Sequence, residues 1–325
     1  MNLPRRFDPR HGRSRNSFRS PGSRAPHPHR PAARANGAEE KFLKRVSIDP
    51  GPRIRLESGS AELTMRAMDL LCPIGRGQRG LIVAPPGSGK TTFLKHLCRA
   101  IPAAEPSLKV YCLLIDERPE EVTDFRRSQK AEVHWSSSDQ PYENHVRVAN
   151  ELMRKVYEEA DRGEDVVILL DSLTRLARVH NSEIRGRGRT LSGGVDAEAL
   201  KVPRRIFGSA RKIENGGSLA ILATILVETG SRMDDVIFQE FKGTGNMEIV
   251  LSREISSQRI FPAVHIGQSG TRKEELLLAP DELAGVHKLR AGLAGMNEVE
   301  AARMLVGLLQ KYPTNPGLLA AVMKP

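Results

Sequence analysis

A short apolar run followed by a glycine-containing turn, residues 81–92, constrains this chain more than any other segment. Leu81-Ile82-Val83 stops at Pro85-Pro86, where a strand cannot continue because proline has no backbone N–H to donate. The turn and the start of a helix follow as Pro86, Gly87, Ser88, Gly89, Lys90, Thr91 and Thr92. Glycines let backbone N–H groups turn around a phosphate, and a helix N-terminus favours the same anion. The segment therefore predicts a phosphate-binding loop.

The residue types of this loop predict a nucleoside triphosphate with a metal ion. Lys90 is expected to reach the β- and γ-phosphates, and the hydroxyl of Thr91 to hold Mg²⁺. The strict pattern G-x-x-x-x-G-K-[ST] asks for glycine where this chain has Ala84. The alternative is a chance Gly/Ser turn ahead of a helix, which the strand–loop–helix context disfavours.

Charge is concentrated at one end of the chain. The net charge is +11, and residues 1–45 contain twelve Lys and Arg but only Asp8, Glu39 and Glu40 as acids. This Arg- and Pro-rich segment has too few apolar residues to offset the entropy of ordering, so we predict a disordered basic tail over 1–45 and a folded domain over 46–325. The tail suits contact with nucleic acid; a solubilising extension is the open alternative.

Cysteines and hydropathy limit the class of protein. Cys72, Cys98 and Cys112 show no paired spacing, which predicts buried free thiols in a reducing compartment rather than a zinc site. No apolar run approaches the roughly 18 residues of a membrane helix. We expect a cytoplasmic protein without membrane contact.

Strand and helix patterns alternate along the chain, which predicts an α/β fold with a mostly parallel sheet. The predicted strands are Arg53–Glu57, Lys109–Asp116, Glu132–Ser136, Val166–Asp171, Leu219–Leu226 and Met247–Ser252. The predicted helices are Glu120–Ser128, Tyr142–Ala160, Ser172–His180 and Ala197–Ile213, with a small helical C-terminal part from about Asp281.

Two apolar strand patterns end in carboxylates. Asp171 follows Val166–Leu170, and at the tip of a strand beside the phosphate loop it would hold Mg²⁺ through water. Glu117 follows Leu113–Ile115 and would orient and polarise the attacking water. The alternatives are that Asp171 caps the next helix and that Glu117 only charges a helix start.

Three glycine-containing loops carry cations. Residues 185–196 interleave arginine with glycine, and residues 229–232 end at Arg232; both are suited to a nucleic-acid backbone, with a solvated loop as the alternative. Arg272 follows a tight turn and has no partner in its own phosphate loop, as in an arginine finger supplied to a neighbouring subunit. A helix start with surface charges fits Arg272 equally well.

Several long blocks resemble the Rho family of bacterial transcription termination factors, from about Arg53 to the C-terminus. The blocks, in family order, are residues 73–80, 114–123, 171–178, 192–196, 240–248 and 269–276. The resemblance implies a RecA-like P-loop NTPase core in a homohexameric ring, with RNA-dependent ATPase and helicase activity on single-stranded RNA. RNA polymerase would be a further partner.

The resemblance also implies residue roles. Lys90, Glu117 and Arg272 would be catalytic, Glu117 as the base and Arg272 as the finger in trans. The nucleotide site would also include Arg118, Arg259 and Phe261, and the RNA contacts would be Arg189, Thr190 and Arg232. Gly87 stands where relatives commonly have lysine, which removes one phosphate contact.

The resemblance has one large departure upstream. The OB-fold RNA-binding domain that precedes the motor in the family is not found in residues 1–45. We therefore predict an RNA-dependent ATPase of the termination type. The alternative is an ATP-binding, RNA-binding regulatory paralogue without motor activity.

Overall fold

A computed structural model describes residues 37–184 and 192–324. The basic segment 1–36 and the loop 185–191, with Arg189 and Thr190, lie outside the described residues. The strands are β1 (Ser47–Ile48), β2 (Arg53–Ile54), β3 (Ile74–Gly75), β4 (Arg79–Ala84), β5 (Lys109–Glu117), β6 (Glu132–Ser137), β7 (Asp165–Asp171), β8 (Arg211–Ile213), β9 (Ser218–Leu226), β10 (Met247–Val250) and β11 (Gly270–Thr271).

Helices separate most of these strands. They are α1 (Gly37–Leu43), α2 (Leu56–Gly59), α3 (Leu63–Leu71), α4 (Lys90–Ala104), α5 (Pro119–Ser128), α6 (Tyr142–Asp161), α7 (Leu173–Ile184), α8 (Lys201–Gly208), α9 (Arg232–Lys242), α10 (Arg253–Ser257), α11 (Pro280–Leu293), α12 (Glu298–Lys311) and α13 (Asn315–Met323). The last three form the predicted helical C-terminal part.

The main sheet has the order β11-β10-β4-β9-β7-β5-β6, and its strands from β10 to β6 are parallel. The prediction of an α/β fold with a mostly parallel sheet is confirmed. Helices cover both faces, so successive residues of a strand enter different cores. Leu81 belongs to the core that includes residues of α6 and α7, while its neighbour Ile82 belongs to the core that includes residues of α3 and α4. This two-sided burial explains the continuous apolar strand sequences.

Two of the predicted elements differ from the structure. The predicted helix Ala197–Ile213 is helical only over α8, and its last residues form β8, which pairs antiparallel with β9. A tight turn at Asn215 (φ +53°) and Gly216 returns the chain, and the hairpin satisfies backbone groups that a longer helix would have used. The predicted strand Arg53–Glu57 is paired as a strand only over Arg53–Ile54, because the short helix α2 begins at Leu56.

The boundary of the predicted disordered tail is wrong at its C-terminal end. Residues Gly37–Leu43 form α1, and the ring of Phe42 is fully buried in the core around α6. Its ring centroid lies 5.4 Å from that of Tyr157, and the Arg211 guanidinium carbon lies 5.7 Å from the same centroid. One aromatic side chain thus supplies the buried surface that the composition of this segment did not reveal.

No helix among residues 37–184 and 192–324 combines the length and the apolar character needed to cross a lipid bilayer.

Candidate nucleotide-binding site

The loop between β4 and α4 has the backbone of a phosphate cradle. Gly87 (φ +80°) and Gly89 (φ +94°) both adopt left-handed conformations that side chains rarely tolerate. The Ser88 hydroxyl donates to the Pro85 carbonyl at 2.7 Å and fixes the turn from inside. Helix α4 begins at Lys90, so its free N–H groups and its positive dipole end face the loop.

Lys90 lies between the two carboxylates that the sequence singled out. Its Nζ is 2.5 Å from Oδ1 of Asp171 and 3.1 Å from Oε1 of Glu117. Burial alone would lower the pKa of Lys90, but the charges of Asp171 and Glu117 outweigh it and raise the pKa. Lys90 therefore remains a cation at the point where phosphate oxygens would arrive.

The end of β5 is bent so that Glu117 faces this site. The register against β6 shifts between Ile115 and Glu117, and Asp116 has φ +58°. Bulges of this kind re-aim the side chain that follows. Arg175 holds the bend, because its Nη1 donates to the Asp116 carbonyl at 2.5 Å and its Nε lies 3.0 Å from Oε1 of Glu117.

The Glu117 carboxyl group is buried, with only 3% of its side chain exposed, and one of its oxygens is unpaired. Oε1 meets Lys90 and Arg175, whereas Oε2 is buried without a hydrogen-bond partner among the described residues. Burial, followed by the negative charge of Asp171, raises the pKa of Glu117 to about 7. A free carboxylate oxygen with this pKa is suited to accept a proton from water near neutral pH.

Two hydroxyl residues that the sequence analysis missed support the site. Thr224 on β9 donates from Oγ1 to Oδ1 of Asp171 at 2.8 Å, and Thr174 Oγ1 accepts from the Leu226 N–H at 2.9 Å. Thr224 is a single hydroxyl inside an apolar strand, which is the one signal that could have found it. Arg175 lies in the block 171–178, whose residue pattern assigned it no role.

The oxygen groups at the site fit a hard divalent cation. Thr91 offers a hydroxyl at the start of α4 and Asp171 a carboxylate, and Mg²⁺ prefers such ligands together with water and phosphate. Among the described residues no cluster of three or more His, Cys, Asp or Glu side chains could hold a metal ion. The residues are thus suited to a cation that arrives with the nucleotide.

Helix α10 and the segment that follows it border the phosphate loop. A Cβ placed on Gly89 would lie 4.0 Å from the Phe261 ring, and the Ser256 hydroxyl lies 3.4 Å from the Gly87 carbonyl. Phe261 is 48% exposed, which leaves its ring free to stack, and Arg259 is exposed two residues before it. Arg118 directly follows Glu117 and is exposed, and its Nη1 lies 3.8 Å from Oε1 of Glu121.

Arg272 lies at the opposite edge of the sheet. Strand β11 pairs antiparallel with β10 through Thr271 and Met247, and Met247 also pairs with Gly80 at the start of β4. The phosphate loop follows Ala84, at the other end of β4. Ala84 lies four residues beyond Gly80, which is roughly 13 Å at about 3.3 Å per residue. Exposed Arg272 therefore lies near the end of β4 that is away from the phosphate loop of its own chain.

The two glycine-containing loops meet next to α9. Gly193 (φ +72°) lies so close to Arg232 that an added Cβ would be 2.6 Å from the Arg232 carbonyl oxygen. Arg232 is exposed at the first position of α9. The structure therefore brings the end of the arginine–glycine loop beside the predicted Arg232 contact.

These features define a P-loop nucleotide-binding domain, and comparison with known proteins gives the same class. Residues 64–271 match the ATP synthase alpha/beta family, nucleotide-binding domain. The ATPase EscN from the enteropathogenic E. coli type III secretion system, solved in its assembled form, superposes with a TM-score of 0.67 at 23% identity, over 87% of this chain and 73% of that one. The solved structure of a prototypical ATPase from the type III secretion system of pathogenic bacteria superposes with a TM-score of 0.67 at 23% identity, over 86% of both chains. These likenesses concern the fold.

Curated relatives narrow the class to one family. Transcription termination factor Rho of Pseudomonas aeruginosa is 50% identical over 287 residues, which is 87% of this chain and 68% of the relative. Rho of Mycobacterium tuberculosis strain H37Rv is 50% identical over 284 residues, or 87% of this chain and 47% of the relative. The chain belongs to the Rho family of transcription termination factors. It spans about half the length of the mycobacterial relatives that it matches.

Gly87 offers a direct test of the phosphate cradle. A Cβ at this position meets nothing within 4 Å, so a lysine side chain has room to reach a phosphate. Gly87→Lys should lower the nucleotide Kd about tenfold through a charge-assisted contact. It should also reduce the free energy of unfolding by about 1–2 kcal/mol, because its φ is left-handed. Nucleotide titration and urea unfolding measure the two effects.

Gly87→Gln is the matched control for that variant. It has the same backbone strain and a long side chain but no charge, so it should lose stability without gaining affinity. Equal affinities for the two variants would contradict a phosphate at this position.

Proposed function

We propose that this chain hydrolyses ATP at the interfaces of a ring of identical subunits and uses the reaction to move single-stranded RNA. The observation that carries the proposal is the arrangement of Lys90, Glu117 and Asp171 at one sheet edge, with Arg272 at the other. The relatives reported above are named transcription termination factors. Their name supports three further parts of the proposal, which are a role in transcription termination, RNA polymerase as a partner and a cytoplasmic location.

The proposed chemistry follows from the charges at the site. Lys90 exchanges its carboxylate partners for the β- and γ-phosphates, after which Oε1 of Glu117 still faces Arg175 and Oε2 is available to water. Glu117 accepts a proton of that water as the water oxygen bonds to the γ-phosphorus and the bond from this phosphorus to the β–γ bridging oxygen breaks, so that ADP leaves. Thr91 and, through water, Asp171 would hold Mg²⁺. The metal would neutralise charge on the phosphate oxygens. Phe261 stacks on the adenine, and Arg259 and Arg118 lie at the rim of the nucleotide site.

A ring accounts for the position of Arg272. A residue that lies away from its own phosphate loop can complete only the site of a neighbour, and such a head-to-tail contact repeats until it closes. The arginine would stabilise charge that develops on the transferred phosphoryl group. We propose a hexamer, as the family resemblance implies.

A chain of contacts connects the nucleotide site with the proposed RNA contacts. Helix α7 begins just after Asp171 and carries Arg178, which forms a forked ion pair with the fully buried Asp234 on α9. Thr229 donates to the same carboxylate at 2.5 Å. Arg232 lies between Thr229 and Asp234 in the sequence, and Asp234 binds both Thr229 and Arg178. A shift of α7 would therefore move Arg232. We assign RNA contact to Arg232 and, in the loop outside the described residues, to Arg189 and Thr190.

Steady-state ATP hydrolysis with and without single-stranded RNA tests the proposed function. We expect turnover to rise on addition of single-stranded RNA and not on addition of duplex RNA. Hydrolysis that RNA does not stimulate would overturn the motor proposal. Nucleotide and RNA binding without hydrolysis would favour a regulatory RNA-binding paralogue instead.

Arg232→Ala tests the RNA contact separately. Loss of one phosphate contact should reduce the slope of log K against log salt concentration by about 0.7 for a single strand. ATP turnover without RNA should be unchanged, because Lys90 pairs with Glu117 and Asp171 and not with Arg232. Arg303→Ala removes an equally exposed arginine on α12 and serves as the control. An unchanged slope for Arg232→Ala would exclude a backbone contact there.

A further inference from the structure

Two cysteines meet in the core below the nucleotide site. Cys98 lies on α4 and Cys112 on β5, and their sulfur atoms are 3.4 Å apart. Both side chains are buried, and both belong to the core between the sheet and α4. The sequence spacing gave no indication of this pair, because it forms only when α4 packs on the adjacent strand.

The two thiols differ in acidity. A hydrogen bond from Cys112 lowers the pKa of Cys98, against the opposing effect of burial. The same hydrogen bond and burial raise the pKa of Cys112. Cys98 is therefore the better nucleophile of the pair.

We propose that Cys98 and Cys112 form a reversible intramolecular disulfide when the protein meets a small peroxide. The Cys98 thiolate attacks one peroxide oxygen, the O–O bond breaks, and Cys98 becomes a sulfenic acid while hydroxide leaves. The Cys112 sulfur then attacks the Cys98 sulfur, the S–O bond breaks, and the S–S bond forms. Two thiols lose two electrons and two protons, and one hydrogen peroxide becomes two waters.

The position of the pair gives the bond a consequence. Cys98 lies eight residues after Lys90, or about 12 Å along the helix. Cys112 lies five residues before Glu117, or about 17 Å along the strand. The disulfide would therefore join the helix that carries the phosphate-binding lysine to the strand that carries the proposed base. Burial restricts the oxidant to small molecules such as hydrogen peroxide.

Cys72 is a built-in reference for the reaction. It is fully buried, and its thiol donates to the Glu248 carbonyl rather than to a second sulfur. Burial raises the pKa of Cys72 to about 12, which keeps it a thiol. It should survive peroxide treatment that oxidises the other two.

Peptide mapping of the full chain after hydrogen peroxide treatment tests the proposal. The protein is alkylated in denaturant and digested with trypsin without reduction. We expect residues 96–99 linked to residues 110–126, two hydrogens lighter than the sum of the free peptides. Free thiols should fall from three to one, with Cys72 alkylated, and dithiothreitol should restore all three. Three retained thiols, at a peroxide dose that fully oxidises glutathione, would overturn the proposal.

Variants separate the two steps. Cys112→Ser should stop at the Cys98 sulfenic acid, which dimedone traps, and should give no linked peptide. Cys72→Ser should form the same linked peptide as the wild-type chain. A linked peptide that contains Cys72, or dimers joined through Cys98, would contradict an intramolecular pair.

Discussion

Replacing Arg272 with alanine is expected to lower kcat for ATP hydrolysis by about 10³–10⁵, the range for loss of an arginine finger. Arg272 lies at the sheet edge opposite the phosphate loop. In the function proposed above, its guanidinium acts on the nucleotide of the neighbouring subunit. Nucleotide binding should change far less, because Lys90 and the loop backbone remain. Steady-state turnover and nucleotide titration of the same preparation measure both quantities.

Lys273→Ala is the matched control for that variant. Lys273 is the next residue, equally exposed, and it pairs with Asp49 at 2.9 Å on the protein surface. Its loss should leave turnover unchanged. A comparable loss in both variants would point to damage of the segment rather than to a finger.

Mixing variants decides whether Arg272 acts in trans. Subunits with Arg272→Ala retain a complete phosphate site, and subunits with Glu117→Gln retain the finger. The interface is complete where Arg272 of a Glu117→Gln subunit meets the phosphate site of an Arg272→Ala subunit. Mixed rings should therefore regain part of the turnover that both homogeneous rings lack. Mixtures that stay inactive would contradict action across the interface.

Glu117→Gln is expected to reduce ATP turnover by about 10²–10⁴, the contribution of a general base. Glutamine preserves the volume and the oxygen that faces Lys90, but it cannot accept a proton from water. Nucleotide affinity should be retained or increased, since one negative charge near the phosphates is removed. Glu120→Gln, an exposed carboxylate in the first turn of α5, is the control and should behave as wild type. Full turnover in Glu117→Gln would remove Glu117 from the mechanism.

The pH dependence of kcat/KM follows from the same residue. Since the pKa of Glu117 is raised from 4.5 to about 7, the free protein holds this carboxyl largely protonated at pH 6. Below about pH 7, kcat/KM should rise tenfold per pH unit, and above it should level off, because only the ionised form is a base. A rate that is independent of pH from 5 to 8 would contradict this role.

Stability should show the opposite trend with pH. The folded state binds the Glu117 proton more tightly than the unfolded state does, so this contribution to stability is fully present below pH 4.5 and is lost as pH rises through about 7. Urea unfolding of Glu117→Gln, in which this contribution is absent, isolates it from other groups.

Much of the site was predictable because its parts are local in sequence. The loop from Pro86 to Thr92 needs only glycines, a lysine and a threonine in order, and its backbone agrees with the pattern. Asp171 was predictable because it directly ends an apolar strand. The Phe42 helix was not, since one buried ring gives no periodicity in a segment dominated by arginine and proline.

Other parts depended on contacts between distant segments. Arg175 and Thr224 act on Glu117 and Asp171 only because β5, β7 and β9 are neighbours in the sheet. The sequence analysis placed Glu117 at a strand end but could not predict the left-handed Asp116 that turns it inward. Likewise, the cysteine sequence indicated three separate thiols, and the packing of α4 made two of them a pair.

By itself, the sequence determined the phosphate loop, the two carboxylates and the alternation of strands and helices. Each of these depends on neighbouring residues and on burial on both faces of a strand. Only the tertiary structure decided that Lys90 lies between Glu117 and Asp171, and that Arg272 lies at the other edge. The reason is strand order: it sets which distant residues share an edge, and no local pattern encodes it.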